Sequence, residues 1–439
     1  MSLRLAAFFL ALLLLAPAQA ANVKPLYAVK GVPVWLAEDH SVPVLALAVS
    51  LPAGSAYDPP GKSGMAAFAA ALLDEGAGQL PAGAFQTALA ARGIRLEAET
   101  GRDYTTVSIL TPSSGAKEAF RLLALALSKP RFDGEAANRV RAQLLQDMEL
   151  GKDDPARIAG IGFHSLYFGP YTYGRPVMGE PHELQAITLP ELHSFARTHW
   201  LCGGLKIALA GDISAASATA LLRSAFGNLP GAAPPPLPKP PRLGAPGLHI
   251  LPMKVTQPAV VFGLAGPLRD NRDFLAAALV NHILGVGPGA RLMRDVLERR
   301  GLTYEVSTHL MPYSRVGLIL GEVTTQRETV RRTMVALRDA MNRFADEGPS
   351  EQELADAKQY LIGSFPLGFT SDADTAARLA EFQQQGLPSD FPSRYAGMVD
   401  SVSMADVRRV ARYWFDPARM TVVVAGSLST SNTEPADSP

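Results

Sequence analysis

The chain has 439 residues, 47% of them apolar and 19% charged, with 41 acidic and 41 basic side chains. That length fills two or more domains with substantial cores, and the composition excludes a disordered or fibrous protein. The even charge balance supplies no basic face for nucleic acid or an anionic membrane, so no nucleic-acid partner is expected.

In chain order, residues 1–20 read as a cleaved signal peptide. Arg4 is the positive start, Leu5 to Leu15 an apolar run too short to span a bilayer, and Ala18-Gln-Ala20 the small-x-small cleavage pattern. The mature chain then begins at Ala21, exported, to the periplasm if the source is a Gram-negative bacterium. No later segment is long and apolar enough for a membrane span.

Residues 21–228 form a first domain. Val32-Pro-Val-Trp-Leu and Val44-Leu-Ala-Leu-Ala-Val-Ser-Leu51 read as strands, followed by an Ala/Leu-rich helix and a shorter amphipathic helix ending at Arg92-Gly93. The strand Thr105-Thr-Val-Ser-Ile-Leu, two long helical stretches and a closing strand, Lys206-Ile-Ala-Leu-Ala-Gly, complete it. The lone Cys202 has no disulfide partner and precedes an apolar run, the place of a buried small hydrophobe. Residues 229–247 are proline-rich and can form neither a helix nor an inner strand, which makes them a stiff extended linker.

Residues 248–428 repeat the same order, from Ala259-Val-Val-Phe-Gly-Leu to the closing Thr421-Val-Val-Val-Ala-Gly. Ala88–Thr100 and Val296–Thr308 coincide at five of thirteen positions, and Phe68-Ala-Ala-Ala-Leu-Leu answers Phe274-Leu-Ala-Ala-Ala-Leu-Val. A repeat of this length means two homologous domains. Strands grouped apart from helices predict an α+β fold: in each domain a mostly antiparallel sheet with helices packed on one face. The polar tail, 429–439, is expected to be disordered.

Two motifs fail on context. Pro60-Gly-Lys-Ser63 lacks the leading glycine of a phosphate-binding loop, and Gly285-Val-Gly-Pro-Gly-Ala290 follows a helix where a dinucleotide fingerprint follows a strand. The eight histidines are scattered, and none forms a local metal pair.

The stretch Gly64-Met-Ala-Ala-Phe-Ala-Ala-Ala-Leu-Leu-Asp-Glu-Gly-Ala-Gly78 resembles the zinc helix of the insulinase/pitrilysin metallopeptidase family, His-x-x-Glu-His in a glycine-flanked frame. The three chemical positions fall on Ala67, Ala70 and Ala71, one helical face whose methyl groups neither ligate a metal nor take a proton. The resemblance continues through Gly93-Ile-Arg-Leu-Glu-Ala-Glu-Thr-Gly-Arg-Asp-Tyr-Thr105, where Glu97 replaces the family's Asn, through Tyr173-Gly-Arg-Pro-Val-Met-Gly179 and Trp200–Asp212, and into Gly289–Tyr304. It covers essentially the whole mature chain.

The family's third ligand, a Glu, would fall near Asp147 or Glu149. The family also places a Tyr and an Arg from the second domain against substrate; Tyr304 matches the Tyr, Leu297 stands at the Arg position, and Arg299 and Arg300 are displaced along the segment. The resemblance therefore implies a non-catalytic subunit that binds no metal itself. A partner subunit with intact His-x-x-Glu-His would carry the zinc, and the two chains would enclose peptide substrate. The alternative is a stand-alone peptide-binding or assembly protein, as a homodimer.

Overall fold

A computed structural model describes residues 22–427 except 30, 228, 242 and 288. The predicted signal peptide and the tail 429–439 lie outside the described residues. None of the described helices is long and apolar enough to cross a membrane.

The first half contains β1 (Val23–Leu26), β2 (Val34–Glu38), β3 (Val44–Leu51), the short pair β4 (Gly76–Ala77) and β5 (Leu80–Pro81), β6 (Arg95–Thr100), β7 (Thr105–Pro112) and β8 (Lys206–Gly211). Its helices are α1 (Met65–Ala71), α2 (Ala82–Ala90), α3 (Ala116–Ser128), α4 (Gly134–Leu150), α5 (Pro155–Phe168), α6 (Pro181–Gln185), α7 (Leu189–His199) and α8 (Ala215–Phe226). The second half has β9 (Gly247–Leu251), β10 (Ala259–Gly266), β11 (Glu305–Pro312), β12 (Gly317–Thr324) and β13 (Thr421–Ala425). Its helices are α9 (Phe274–Gly285), α10 (Val330–Glu347), α11 (Glu351–Ser364), α12 (Asp372–Gln384), α13 (Phe391–Asp400) and α14 (Met404–Trp414).

The duplication is legible in the topology. The six-stranded sheet runs β1-β2-β8-β3-β7-β6 and the five-stranded sheet β11-β12-β10-β13-β9. Apart from β1, each strand of one sheet has a counterpart in the other. Both sheets are antiparallel except for one pair at the same place, β2 with β8 and β9 with β13.

In the first half the strands alternate. Leu45, Leu47 and Val49 of β3 face a core built with α1, α3, α4, α7 and α8, which places the half's own helices on one face as the sequence implies. The opposite face is not open to solvent. Trp35, Ala46, Ala48, Ala208 and Ala210 are covered by α12, a helix of the second half, through Ala376, Leu379, Ala380 and Phe382. Gln383 Nε2 of α12 donates to the Ile207 carbonyl at 2.8 Å, and Gln384 Nε2 to Ser50 Oγ at 2.7 Å.

The exchange is reciprocal. Helix α5 of the first half covers the second sheet, where Phe163 and Tyr167 pack with Val261, Leu318, Val423 and Ala425. Phe163 needs Gly263 beneath it, because a Cβ there would lie 2.3 Å from Phe163 Cζ. The linker runs along the first half, with no helix or strand among its described residues before Gly247, where β9 begins. Cys202 N–H donates to the Pro230 carbonyl and Gly203 N–H to that of Ala232, and Leu237 is buried. Cys202 itself is buried, its thiol against the Phe226 carbonyl.

Candidate functional site: the degenerate zinc helix

Helix α1 is short, and every residue from Met65 to Ala70 is buried. Its alanines give close packing against β6, α4 and α7. Gly64, just before it, has φ +88°, and a Cβ there would lie 2.5 Å from the Met178 carbonyl, so only glycine lets the two segments approach.

The free N–H groups of the first turn are satisfied from outside the helix. Asp58 Oδ2 accepts the Gly64 N–H at 2.7 Å and Oδ1 the Ala66 N–H at 2.8 Å. Burial pushes this carboxyl up to about 7, against the two N–H donors that pull it down. Around it, Arg175 Nη1 donates to the Asp58 carbonyl at 2.8 Å, Ser63 N–H donates to Glu183 at 2.7 Å, and Glu180 N–H to Ser63 Oγ at 3.0 Å. The Tyr173–Gly179 turn singled out in the sequence is thus the prop that holds the start of α1.

Ala67 and Ala70 are buried, and Ala71 is half-buried. Asp147 and Glu149, the residues nearest the expected third ligand, are both exposed; Glu149 is paired with Lys152, and the residue between them, Met148, is the one turned inward. From α4 a cation approaches α1. The Arg141 guanidinium lies over the Phe68 ring, Cζ 5.0 Å from the centroid, and Nη2 donates to the Ile187 carbonyl at 2.7 Å.

These residues do not fit a zinc ion. Such a site needs three ligating side chains and an open position, whereas here there are methyl groups, two outward carboxylates and a guanidinium whose charge opposes a second cation. No cluster of three His, Cys, Asp or Glu with metal-holding geometry occurs among the described residues.

The second-domain residues are held within their own half. Tyr304 is exposed, and its hydroxyl accepts from Gln326 Nε2 at 2.7 Å. Arg299 pairs with Asp295 at 3.0 Å and Arg300 with Asp339 at 3.9 Å. Leu297 lies in a π-helical turn, Met293–Glu298, half-buried.

Alongside α1, β6 is the outer strand of its sheet. It pairs only with β7 among the described residues, which leaves the backbone groups of its other edge free, with Arg95, Glu97 and Glu99 exposed. At its end a cleft of about 400 Å³ opens between the two halves, lined by Glu99, Tyr104, Met311, Tyr313 and Gln384.

Sequence reasoning missed Asp58, Arg141 and the buried polar cluster behind the cleft. There Arg102 Nη1 donates to the carbonyls of Tyr173 and Arg175 at 2.6 and 2.9 Å, and the Tyr173 hydroxyl donates to Asp103. His164 Nε2 lies 3.3 Å from the Tyr313 hydroxyl, and burial holds His164 down to about 4. Arg102-Asp103-Tyr104 stood within the quoted family segment, but nothing local marks it as a contact between halves.

Two family models match in succession: Insulinase (Peptidase family M16) over residues 33–180, and the Peptidase M16 inactive domain over 186–361. The chain belongs to the M16 family. An uncharacterized zinc protease of Streptomyces coelicolor is 26% identical to this M16 chain over 371 residues, covering 82% of it and 80% of the relative. The non-peptidase homolog YmxG of Helicobacter pylori is 24% identical over 379 residues, covering 86% and 87%. The crystal structure of a peptidase M16 inactive domain from Pseudomonas fluorescens superposes with a TM-score of 0.86 at 26% identity, over 93% of this chain and 98% of that one. A Helicobacter pylori protease at 18% identity and TM-score 0.85 shares the fold. Within this family, three alanines at the ligand and base positions make the chain an M16 member without a zinc-peptidase site of its own.

Proposed function

We propose that this chain is the non-catalytic subunit of a periplasmic, heterodimeric M16 zinc peptidase. The observation that carries the reading is α1 itself. The helix stands in the glycine-flanked frame with a buried Asp58 cap and close packing, and has alanines at the three positions where the family does its chemistry. The partner supplies His-x-x-Glu-His and the zinc, and this chain supplies wall and peptide contacts.

Peptide binds as an added strand on the free edge of β6, where backbone hydrogen bonds give affinity with little sequence preference. Tyr304, exposed on the second half, is available to substrate or to the partner chain, and Arg299 and Arg300 become available if their exposed ion pairs exchange.

The test is co-expression with an M16 chain of the source organism that carries His-x-x-Glu-His, if its genome encodes one, followed by size-exclusion chromatography, zinc analysis and peptide cleavage; a genome with no such chain overturns the reading. A one-to-one complex whose activity needs both chains supports the reading. A fully active partner on its own, with this chain eluting as a homodimer, replaces it with the stand-alone peptide-binding or assembly role.

A further inference from the structure

Away from α1, the first half carries a groove of about 900 Å³ between the C-terminal ends of α3 and α7, closed at one side by the start of the linker. We propose that it binds a long-chain fatty acid. Its floor is apolar: Leu125, Leu127, Ala196, Leu229 and the buried Trp200. Its rim is cationic, with Arg121, Lys129 and Arg197, and with His193 beside them.

The charge pattern is specific to the groove. In a chain with equal numbers of acidic and basic residues, no carboxylate lines it among the described residues. Arg121 is held by Glu118 at 2.7 Å, while Lys129 and Arg197 are exposed and make no ion pair among the described residues. Cations at helix C-termini complement the helix dipole, which accounts for one at each end but not for the lack of any acidic partner of Lys129 and Arg197.

The backbone decides between an acyl chain and a peptide. The groove's walls are helices and a tethered linker, with no strand edge among the described residues that line it, and several of their main-chain groups are already used. Lys129 N–H donates to Leu125, Trp200 N–H to Ala196 and Leu229 N–H to Phe226, the Lys129 carbonyl accepts from Gly78, and the Pro230 carbonyl accepts from Cys202. The Ser128 hydroxyl is spent on the Ala124 carbonyl at 2.6 Å. An extended peptide would find no strand edge there to pair its alternating N–H and C=O groups, and would leave most of them desolvated. An acyl chain has no amides to satisfy, and its carboxylate meets the free cations at the rim. The volume is that of an ordinary small-molecule site.

Isothermal titration of the mature protein with myristate, below its micellar concentration, tests this, with dodecanol as the uncharged probe. Expected are saturable one-to-one binding, affinity at least about ten-fold weaker for dodecanol, and a similar loss in the Lys129→Glu/Arg197→Glu variant. Both side chains are exposed and unpaired, and thermal melting of the variant checks that its fold is kept. Ala124→Trp, which narrows the groove without touching the cations, is expected to weaken both ligands alike. Absence of saturable myristate binding overturns the proposal, as does binding that the charge reversal and Ala124→Trp both leave unchanged. An acidic amphipathic peptide that binds saturably and is weakened by the charge reversal, while myristate does not bind, would overturn the proposal and reassign the groove to a protein partner.

Discussion

Asp103 Oδ2 accepts the backbone N–H of Ser314 at 2.8 Å. Asp103 sits in the hairpin between β6 and β7, and Ser314 in the equivalent hairpin between β11 and β12, so the two copies of the duplicated unit touch at the same turn. The other oxygen of Asp103 takes the Tyr173 hydroxyl. Burial raises the carboxyl of Asp103, and these donors hold it down.

Asp103→Ala leaves a buried hydroxyl unpaired and the contact between halves broken. A loss of about 1–3 kcal/mol is expected in urea denaturation. A double-mutant cycle with Tyr173→Phe is expected to be non-additive; additivity would mean that the pair contributes nothing as a pair.

Asp58→Asn keeps one acceptor at the start of α1 and puts an NH₂ where the second oxygen accepted. About 1–3 kcal/mol of stability should be lost at pH 5. The folded-state value of Asp58, about 7, lies above its ordinary 3.8, so its contribution is full below pH 3.8 and lost as pH rises through 7. Between pH 3.8 and 7 the penalty of Asp58→Asn is therefore expected to shrink and above pH 7 to stay constant, which stability measured against pH would reveal.

His164 and His199 titrate in the opposite sense. Burial holds both down to about 4, below an ordinary 6.5. Each contributes stability that is present above pH 6.5 and lost as pH falls to 4, up to roughly 3 kcal/mol. His199 packs against Tyr57 and Phe195, and its Nδ1 has no hydrogen-bond partner. The urea midpoint of His199→Leu is expected to fall less steeply over this window than that of the native chain.

Exchange of α5 and α12 makes each half the cover of the other's sheet. Phe163→Ala empties the contact over Gly263 and is expected to cost about 3–5 kcal/mol. Residues 21–228 alone expose Trp35 and the alanine face of their sheet. Separately expressed halves should aggregate or lose near-ultraviolet circular dichroism, and co-expressed halves should assemble; a half that folds alone with sharp side-chain signals would contradict this.

Restoring the motif letters does not restore the site. Ala67→His, Ala70→Glu and Ala71→His together still face Arg141, with Asp147 and Glu149 exposed. Metal analysis of the purified triple variant is expected to find well under one zinc per chain; stoichiometric zinc would show that the α4 carboxylates can turn inward.

Much of the site was legible because its chemistry is local. The alanines at 67, 70 and 71 are read from one turn of sequence, and the duplication from matched segments such as Ala88–Thr100 and Val296–Thr308. Asp58 was not legible as a cap, since it lies six residues before Gly64, outside the usual N-cap position, and reaches the start of α1 only through the folded turn between them. Arg141 looked like any charge on an amphipathic helix.

By itself, the sequence determined the family, the twofold repeat and the loss of zinc chemistry, all properties of side-chain identity and order. Only the tertiary structure decided what covers each sheet. Val44-Leu-Ala-Leu-Ala-Val-Ser-Leu51 and Thr421-Val-Val-Val-Ala425 are apolar on both faces, the mark of strands buried on both sides. That pattern says a second layer exists without saying where it comes from, because hydrophobic burial is non-directional. The choice of α12 for one sheet and α5 for the other rests on shape, on Gly263 beneath Phe163 and alanines beneath α12, and shape is settled only when the two halves meet.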